Sequence, residues 1–338
     1  MTKKNLALVS GANGHLGNNL VRLLLKKGIP VRASVRNINN KAPFHGLDCE
    51  VVEANITDKA SFVRALQGVE TFYAVGASFK LWAKDPKKEI YDVNLQGTRN
   101  TIEAAAEAGV KRIVYVSSIA ALDYTSLPAK ESNGYNNDRR DMYYNSKNDG
   151  EQLALELAMQ LGIELVVVMP SAMIGGVASL PLNVSYGVLK LILNKQIPVD
   201  TKITLNWIDV KDVAEGCYLA AVRGRNGERY ILANENCMTI TDTTILAKNL
   251  HPQLNLKVPG AVPKAVLFTI AWLMELVGKW KNQAPLLTRK DIAMFSGLQQ
   301  NFDISKARNE LGFNPVNPEQ AVEEAIAYLL QHKLLLTS

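Results

Sequence analysis

Two groups of residues near the middle of the chain could together transfer a proton to a carbonyl. Tyr143 and Lys147 are four positions apart, so on a helix they lie on one face and can contact one ligand. A phenol can donate a proton, and a nearby ammonium would lower its pKa from about 10. Ser118 is the preferred hydroxyl to hold the carbonyl oxygen, although Ser117 stays open. Tyr144 is the weaker phenol because its fourth neighbour is an uncharged asparagine.

A glycine-rich turn near the N-terminus could hold phosphates. The sequence Gly11-Ala-Asn-Gly-His-Leu-Gly17 lies between an apolar run, 6–9, and a segment of helical periodicity, 16–25. Glycines let the backbone approach a pyrophosphate, and the helix that follows offers free N–H groups. The spacing therefore predicts a dinucleotide site in which the side chain of His15 has no catalytic task. Its predicted contacts are Gly11, Asn13, Gly14, His15, Leu16 and Gly17.

The residues after the second predicted strand indicate which dinucleotide would bind. An acidic residue there would hold the ribose 2′-hydroxyl of NAD, whereas an arginine suits a 2′-phosphate. The strand 31–35 is followed by Arg36, with Lys41 close behind and no carboxylate between them. Arg36 therefore favours NADP(H) over NAD(H), and the alternative is that it is only a solvated surface residue.

The elements that must position these groups alternate between strand and helix. Strands are predicted at 31–35, 51–54, 71–75, 112–116 and 164–169, and helices at 58–67, 89–108 and 143–161. This order predicts an α/β fold with a doubly wound parallel sheet covered by helices on both faces. Ser117 and Ser118 then lie at the carboxyl end of a strand, where open α/β sheets bind ligands. After residue 170 the pattern predicts a smaller, mostly helical substrate domain.

Composition excludes several other classes of protein. The 338 residues are 47% hydrophobic and 21% charged, and the net charge of +6 includes no block of like charges typical of nucleic-acid binding. Cys49, Cys217 and Cys237 have no paired spacing, so we expect reduced thiols, no metal site and a cytoplasmic location. The N-terminus lacks the apolar core of a signal peptide.

Residues 265–274, continuing to Trp280, are unusually apolar for a helix but too short to be read as a membrane span. Core packing is the favoured interpretation. The alternatives are an apolar wall over a hydrophobic substrate and, more weakly, peripheral membrane contact through 265–280.

With these motifs the chain resembles the extended short-chain dehydrogenases/reductases. It is most similar to their dihydroflavonol reductase-like branch, which includes proteins called hopanoid-associated sugar epimerases. The similarity runs nearly end to end and is carried by residues 9–17, 31–36, 81–86, 94–100, 114–118, 207–216 and 302–307. The resemblance implies a Rossmann-type domain over 1–170, to which the chain returns at about 205–233. The substrate domain would then comprise 171–204 and 234–338, and a homodimer is common in this superfamily.

The resemblance also assigns roles to individual residues. It places the catalytic serine, tyrosine and lysine on Ser118, Tyr143 and Lys147 and the 2′-phosphate contact on Arg36. Asn55 replaces an aspartate that the family usually has near the adenine. Further cofactor contacts are expected at Lys41, Asn55, Ile56, Ala74, Val75, Gly76, Lys147, Pro170 and Met173. Substrate contacts are expected at Asp123, Tyr124, Ser171 and Tyr186.

These features together predict an NADPH-dependent reductase of a ketone or aldehyde on a fairly apolar small molecule. One alternative is a nucleotide-sugar epimerase or dehydratase that uses NAD, against which Arg36 and the apolar helix argue. Another is a non-catalytic NADP-sensing regulator, which would not need a serine, tyrosine and lysine in register.

Overall fold

The computed structural model describes residues 5–76, 83–176, 182–197, 199–281 and 288–335. These residues contain thirteen strands and ten α-helices. The strands are β1 (Ala7–Ser10), β2 (Val31–Val35), β3 (Glu50–Glu53), β4 (Thr71–Ala74), β5 (Arg112–Val116), β6 (Glu164–Pro170), β7 (Ala172–Ile174), β8 (Val199–Asp200), β9 (Thr204–Leu205), β10 (Trp207–Asp209), β11 (Arg229–Leu232), β12 (Met238–Thr239) and β13 (Gly260–Ala261). The helices are α1 (His15–Lys26), α2 (Lys59–Ala65), α3 (Val93–Glu107), α4 (Met142–Leu161), α5 (Val184–Leu193), α6 (Val210–Arg223), α7 (Ile240–Leu250), α8 (Lys264–Lys281), α9 (Arg289–Phe295) and α10 (Pro318–Gln331).

Seven of the strands form one parallel sheet in the order β3-β2-β1-β4-β5-β6-β11. The order reverses between β1 and β4, so the loops after these two strands separate and leave a crevice at their carboxyl ends. The predicted doubly wound parallel sheet is confirmed. The strand β11, which follows the predicted return of the chain, extends the sheet beyond β6.

Helices cover both faces of this sheet, as its apolar strands require. On one face α2, α3 and α4 bury side chains such as Phe62, Ile102 and Ala154 against the strands. On the other face α1 and α6 do the same with Leu20 and Val213. Because both faces are covered, the functional groups can reach solvent only at the strand ends.

The remainder of the chain has a core of its own. Helices α5, α7 and α10 pack with β10 around Leu189, Ala247, Ala325 and the fully buried Trp207. Three short ladders support this part: β7 with β10, β9 with β12, and β8 with β13. The substrate role predicted for this part stays a prediction.

The apolar helix α8 departs from the favoured sequence interpretation. Leu267 and Ala271 are buried against Ile292 of α9, but most of the large apolar side chains of α8 are exposed. The prediction that this helix packs in a core is therefore wrong, because only one face of the helix contacts the rest of the protein. Among the described helices, none combines the length and the apolarity needed to cross a membrane.

Candidate active site

The glycine turn joins β1 to α1 in a form that only glycine permits. Gly11 has a φ of +60°, and the N–H of Gly14 donates to the Gly11 carbonyl at 2.9 Å. A Cβ on Gly17 would lie 2.3 Å from that carbonyl oxygen and 2.9 Å from the Ala12 Cα. Gly14 caps α1 without a side-chain hydrogen bond, so the first N–H groups of the helix face the turn. Such a turn fits a pyrophosphate.

Ser10 holds the two sides of the crevice together. Its hydroxyl accepts hydrogen bonds from the N–H groups of Val75 and Gly76, both at 3.0 Å, across the gap between β1 and β4. A Cβ on Gly11 would lie 3.0 Å from the Gly76 Cα, so the two loops are in contact where they leave their strands, at the base of the crevice. Sequence reasoning did not single out Ser10, and the only available signal was a hydroxyl directly before the glycine turn.

The other residues predicted in the turn have different surroundings. Asn13 is exposed at the turn, whereas Leu16 is buried in the core, so Leu16 can offer a ligand only its backbone.

Both ring nitrogens of His15 are hydrogen-bonded to other residues of the protein. Its Nε2–H donates to the Gly175 carbonyl at 2.8 Å, and its Nδ1 accepts from the Asn183 amide at 2.9 Å. Burial lowers the pKa of His15 to about 4. The ring is therefore neutral and joins the glycine turn to the segment after β7. Any contact of His15 with phosphate would come from its backbone.

The predicted adenosine contacts lie at the ends of β2 and β3. Arg36 and Lys41 are exposed. Asn55 is partly buried, and its side-chain oxygen accepts from the Thr57 N–H at 3.1 Å. Ile56 lies against α3, where a Cβ on Gly97 would approach its side chain to 2.9 Å.

The fold brings Ser118, Tyr143 and Lys147 together at the carboxyl end of β5. The hydroxyl of Ser118 accepts from the Ala120 N–H at 3.1 Å and lies close enough to the Tyr143 hydroxyl to favour the phenolate. Asp141 caps α4 by accepting from the N–H of Tyr143 at 2.9 Å, which starts the helix at the phenol. Lys147, one turn later, is buried and donates to the Val116 carbonyl at 3.2 Å.

Burial dominates the electrostatics of this group. It raises the pKa of Tyr143 to about 12, partly offset by the hydrogen bond from Ser118, and the charge of Asp141 acts in the same direction as burial. It lowers the pKa of Lys147 to about 8, partly offset by the charge of Glu151. The expectation that the pKa of Tyr143 lies below its usual value of about 10 is therefore wrong for the protein's own groups. The physical reason is that desolvation of the phenolate outweighs every charge nearby.

The two candidate serines have different surroundings, because a buried network behind Lys147 includes Ser117. Ser117 donates to the carboxylate of Glu151, which is fully buried and ion-paired with Arg229. The Arg229 guanidinium also lies 4.2 Å from the centre of the Tyr135 ring. Ser117 thus points away from Tyr143, and Ser118 points toward it. Sequence reasoning missed Glu151, although its position four residues after Lys147 places it on the same face of α4.

A narrow cavity lies between Ser10, directly before the glycine turn, and Lys147. Sequence reasoning did not list Asn94 among the site residues, although it opens one of the passages that carried the family resemblance. Its amide donates to the Ser146 hydroxyl at 3.0 Å, beside Lys147. The cavity is lined by Ser10, Ile56, Ala74, Gly76, Asn94, Gly97, Thr98, Thr101, Tyr115, Val116, Ser146 and Lys147.

A second, more open cleft of about 300 Å³ borders α4 at Tyr144. It is lined by Asp123, Tyr124, Thr125, Asn136, Asn137, Asp138, Tyr144 and Leu298. The competing phenol, Tyr144, thus borders this cleft. The Tyr124 hydroxyl donates to the Ile119 carbonyl at 3.0 Å, which fixes its ring.

Four further predicted contacts follow β6. Pro170 and Ser171 are buried at its end, and Met173 is half-buried. The Ser171 hydroxyl has no hydrogen-bond partner among the described atoms. Tyr186 is fully buried in the core of the C-terminal part, 5.5 Å from the His15 ring between ring centres. The predicted substrate contact of Tyr186 is therefore not supported, because its side chain packs inside that core.

A comparison with protein families shows to which family the chain belongs. Residues 7–233 match the NAD dependent epimerase/dehydratase family. The chain belongs to this family. The predicted kinship with extended short-chain dehydrogenases/reductases is confirmed, and with it the prediction of a nicotinamide-dependent oxidoreductase.

Individual relatives extend the similarity over almost the whole chain. The "Putative dihydroflavonol 4-reductase" of Synechocystis sp. is 34% identical, covering 97% of this chain and 96% of that protein. The crystal structure of gox2253 superposes with a TM-score of 0.83 at 30% identity, covering 98% of this chain and 100% of that one. Yeast methylglyoxal/isovaleraldehyde reductase Gre2, complexed with NADPH, shares the fold with a TM-score of 0.77 at 19% identity, covering 98% and 100%.

Proposed function

We propose that this protein is an NADPH-dependent reductase of a ketone or aldehyde on a fairly apolar small molecule. The observation that carries the proposal is that the Ser118 and Tyr143 hydroxyls lie close enough to interact, one helical turn from the buried Lys147. A phenol and a hydroxyl placed in this way can both reach the oxygen of one carbonyl. The name of the Synechocystis relative supports reduction of a ketone.

The residues present fit a dinucleotide. The glycine turn admits no Cβ at Gly17, and Ser10 and Gly76 beside the turn line the same narrow cavity as Lys147. The first-turn N–H groups of α1 would hold the pyrophosphate. Pro170 and Met173 would border the nicotinamide, and Lys147 its ribose. When bound, NADPH supplies the hydride that reaches the carbonyl carbon.

The preference for NADP(H) depends on Arg36. Its guanidinium is exposed at the end of β2, where a ribose 2′-substituent is expected in this fold. Lys41 adds a second positive charge on the loop that follows. A 2′-phosphate would be attracted by both groups, whereas the 2′-hydroxyl of NAD would find no carboxylate among residues 36–41.

The proposed chemistry assigns one task to each side chain. Ser118 donates a hydrogen bond to the substrate oxygen, and Tyr143 delivers the proton to that oxygen as the hydride reaches the carbon. Tyr143 is protonated at neutral pH because burial raises its pKa to about 12. Lys147 is mostly an ammonium at neutral pH, since its pKa is about 8, and it stabilises the phenolate that forms.

The cleft beside Tyr144 supports a substrate that combines rings with hydroxyl or carbonyl groups. The rings of Tyr124 and Tyr144 and the side chain of Leu298 offer apolar surface, while Asp123 and Asn136 offer hydrogen-bonding groups. Such a lining suits a cyclic or aromatic ketone better than a nucleoside diphosphate, which would need cations.

The test is NADPH consumption across a panel of ketones, aldehydes and flavonoid-like and sterol-like compounds. Tyr143→Phe should lower kcat by about 10²- to 10⁴-fold and leave NADPH affinity within about twofold. Tyr144→Phe, the matched control, should keep kcat within a few-fold and change mainly KM. Full turnover in Tyr143→Phe refutes the mechanism. Conversion of a nucleotide-sugar without net NADPH consumption would indicate an epimerase instead.

A further inference from the structure

Helix α8 presents an apolar face to solvent along most of its length. Successive residues on an α-helix are about 100° apart, which places six exposed side chains within one sector of about 140°. The buried residues Leu267 and Ala271 lie in the opposite sector. We call the exposed sector the outer face, and it consists of Val266, Trp272, Leu273, Leu276, Val277 and Trp280.

The outer face carries two exposed tryptophans. Trp280 is 84% exposed and Trp272 is 46% exposed. Burying such side chains in a partner would be favourable, and patches of this kind on soluble proteins mark interaction sites. Tryptophan is also the residue that prefers the boundary between water and lipid, because its ring is apolar and its N–H needs a polar partner.

The charge around α8 indicates the chemistry of the partner. Between residues 257 and 290 the sequence has six basic residues and one acidic residue, Glu275. Glu275 is paired with Arg289 of α9 at 2.8 Å, so its charge is neutralised within the protein. Lys290 is paired with Asp141 at 3.2 Å, so the excess of positive charge comes from Lys257, Lys264, Lys279 and Lys281, against Asp291 just beyond. This excess would attract an anionic surface. The basic residues are Lys257, Lys264, Lys279, Lys281, Arg289 and Lys290.

The size of the outer face argues against a protein partner. From Val266 to Trp280 a helix rises by about 21 Å, and the six exposed side chains together offer on the order of 600 Å². A stable protein interface buries about 800 Å² on each partner. A lipid surface has no such requirement, because a single amphipathic helix can lie in the headgroup region.

We propose that the outer face of α8 binds the surface of an anionic lipid bilayer, with the helix lying parallel to it. The contact is peripheral. It is also on the substrate side of the molecule, since α9 follows α8 and Lys290 of α9 contacts Asp141, the cap of the helix that carries Tyr143, at 3.2 Å. Leu298, which lines the open cleft, lies just after α9.

The experiment is vesicle co-sedimentation of the full chain, with phosphatidylcholine vesicles and with vesicles that also contain phosphatidylglycerol. The protein should bind the anionic vesicles, and the binding should weaken at high salt. The triple substitution Leu273→Ser, Leu276→Ser and Trp280→Ser should reduce the binding at least tenfold. The matched control is Met159→Ser, since Met159 is 78% exposed on α4, and this variant should bind like the unaltered chain.

Two further measurements keep the result interpretable. Because the substituted side chains are exposed, thermal unfolding of the triple variant should be nearly unchanged, which separates loss of binding from loss of folding. Light scattering reports the oligomeric state. The proposal is overturned if anionic vesicles do not bind the unaltered chain, if the triple variant binds them equally, or if the substitutions change only self-association. None of these readouts depends on catalysis, so they cannot be confused with failure of the proposed reductase activity.

Discussion

Lys147 should set the alkaline limit of the reductase activity. Carbonyl reduction in the proposed mechanism needs the ammonium form, and burial lowers the pKa of Lys147 from 10.5 to about 8. The phenol of Tyr143 does not interfere, because its pKa of about 12 keeps it protonated throughout the working range. Loss of rate above about pH 8 therefore reports Lys147 alone.

The size of the effect follows from the two protonation states of Lys147. With a pKa of about 8, about 90% of Lys147 is charged at pH 7 and about 10% at pH 9. The value of kcat/KM should therefore fall about tenfold for each pH unit above about pH 8. The charge of Glu151 raises the pKa of Lys147, so Glu151→Gln should move the decline to lower pH.

The assay is the pH dependence of kcat/KM for NADPH oxidation, which reports groups of the free enzyme. Lys147→Arg serves as the comparison because a guanidinium keeps its charge at all working pH values. Its residual activity should show no decline near pH 8. Glu151→Gln leaves Arg229 buried without its partner, so thermal unfolding must be followed in parallel. The double variant Glu151→Gln, Arg229→Gln is the control for this effect, because it removes both charges of the ion pair together.

Two results would refute this reasoning. One is a profile of the unaltered enzyme that stays flat to about pH 10. The other is a decline near pH 8 that persists unchanged in Lys147→Arg, which would assign it to another group.

Three further predictions concern the cofactor site and its surroundings. Arg36→Glu should weaken NADPH binding by at least about tenfold and NADH binding much less, as measured by fluorescence titration, whereas Lys248→Glu on α7 should change neither. Gly17→Ala should abolish dinucleotide binding and lower the free energy of unfolding by about 1–3 kcal/mol, because its Cβ would meet backbone atoms at 2.3 Å and 2.9 Å. In the control Gly187→Ala the added Cβ has nothing within 4 Å, so both dinucleotide binding and the free energy of unfolding should be nearly unchanged. The pKa of His15 is about 4 in the folded protein and 6.5 in the unfolded chain, so the unfolded chain binds a proton first as the pH falls. The buried neutral ring should therefore contribute up to about 3 kcal/mol to the free energy of unfolding above pH 6.5, and this contribution should be lost as the pH falls toward 4. Urea unfolding should show this loss in the unaltered chain and a much smaller loss in His15→Asn; equal losses would contradict it.

Most of the fold could be predicted because it depends on local patterns. Alternating apolar strands and amphipathic helices predicted the parallel sheet, and the predicted helix 143–161 agrees with Met142–Leu161 to within one residue. Its ends are local signals as well, since Asp141 caps the helix and Gly162 ends it with a φ of +67°.

Part of the site could be predicted for the same reason. Residues four apart on a helix share a face whatever surrounds them, so the sequence placed Tyr143 and Lys147 side by side. The glycine turn is likewise a property of seven consecutive residues, and the family match over 7–233 agrees with it.

The sequence by itself determined the strands and helices of the sheet, the glycine turn and the pairing of the Tyr143 phenol with the Lys147 ammonium. Each of these features depends on residues within a few positions of one another. Only the tertiary structure decided which serine faces Tyr143, since Ser117 turns to Glu151, 34 positions away. It also decided that His15 is held by Gly175, that Tyr186 is in a core, that α8 is exposed and that burial governs both pKa values. These outcomes depend on which distant elements pack together, and desolvation arises only from that packing.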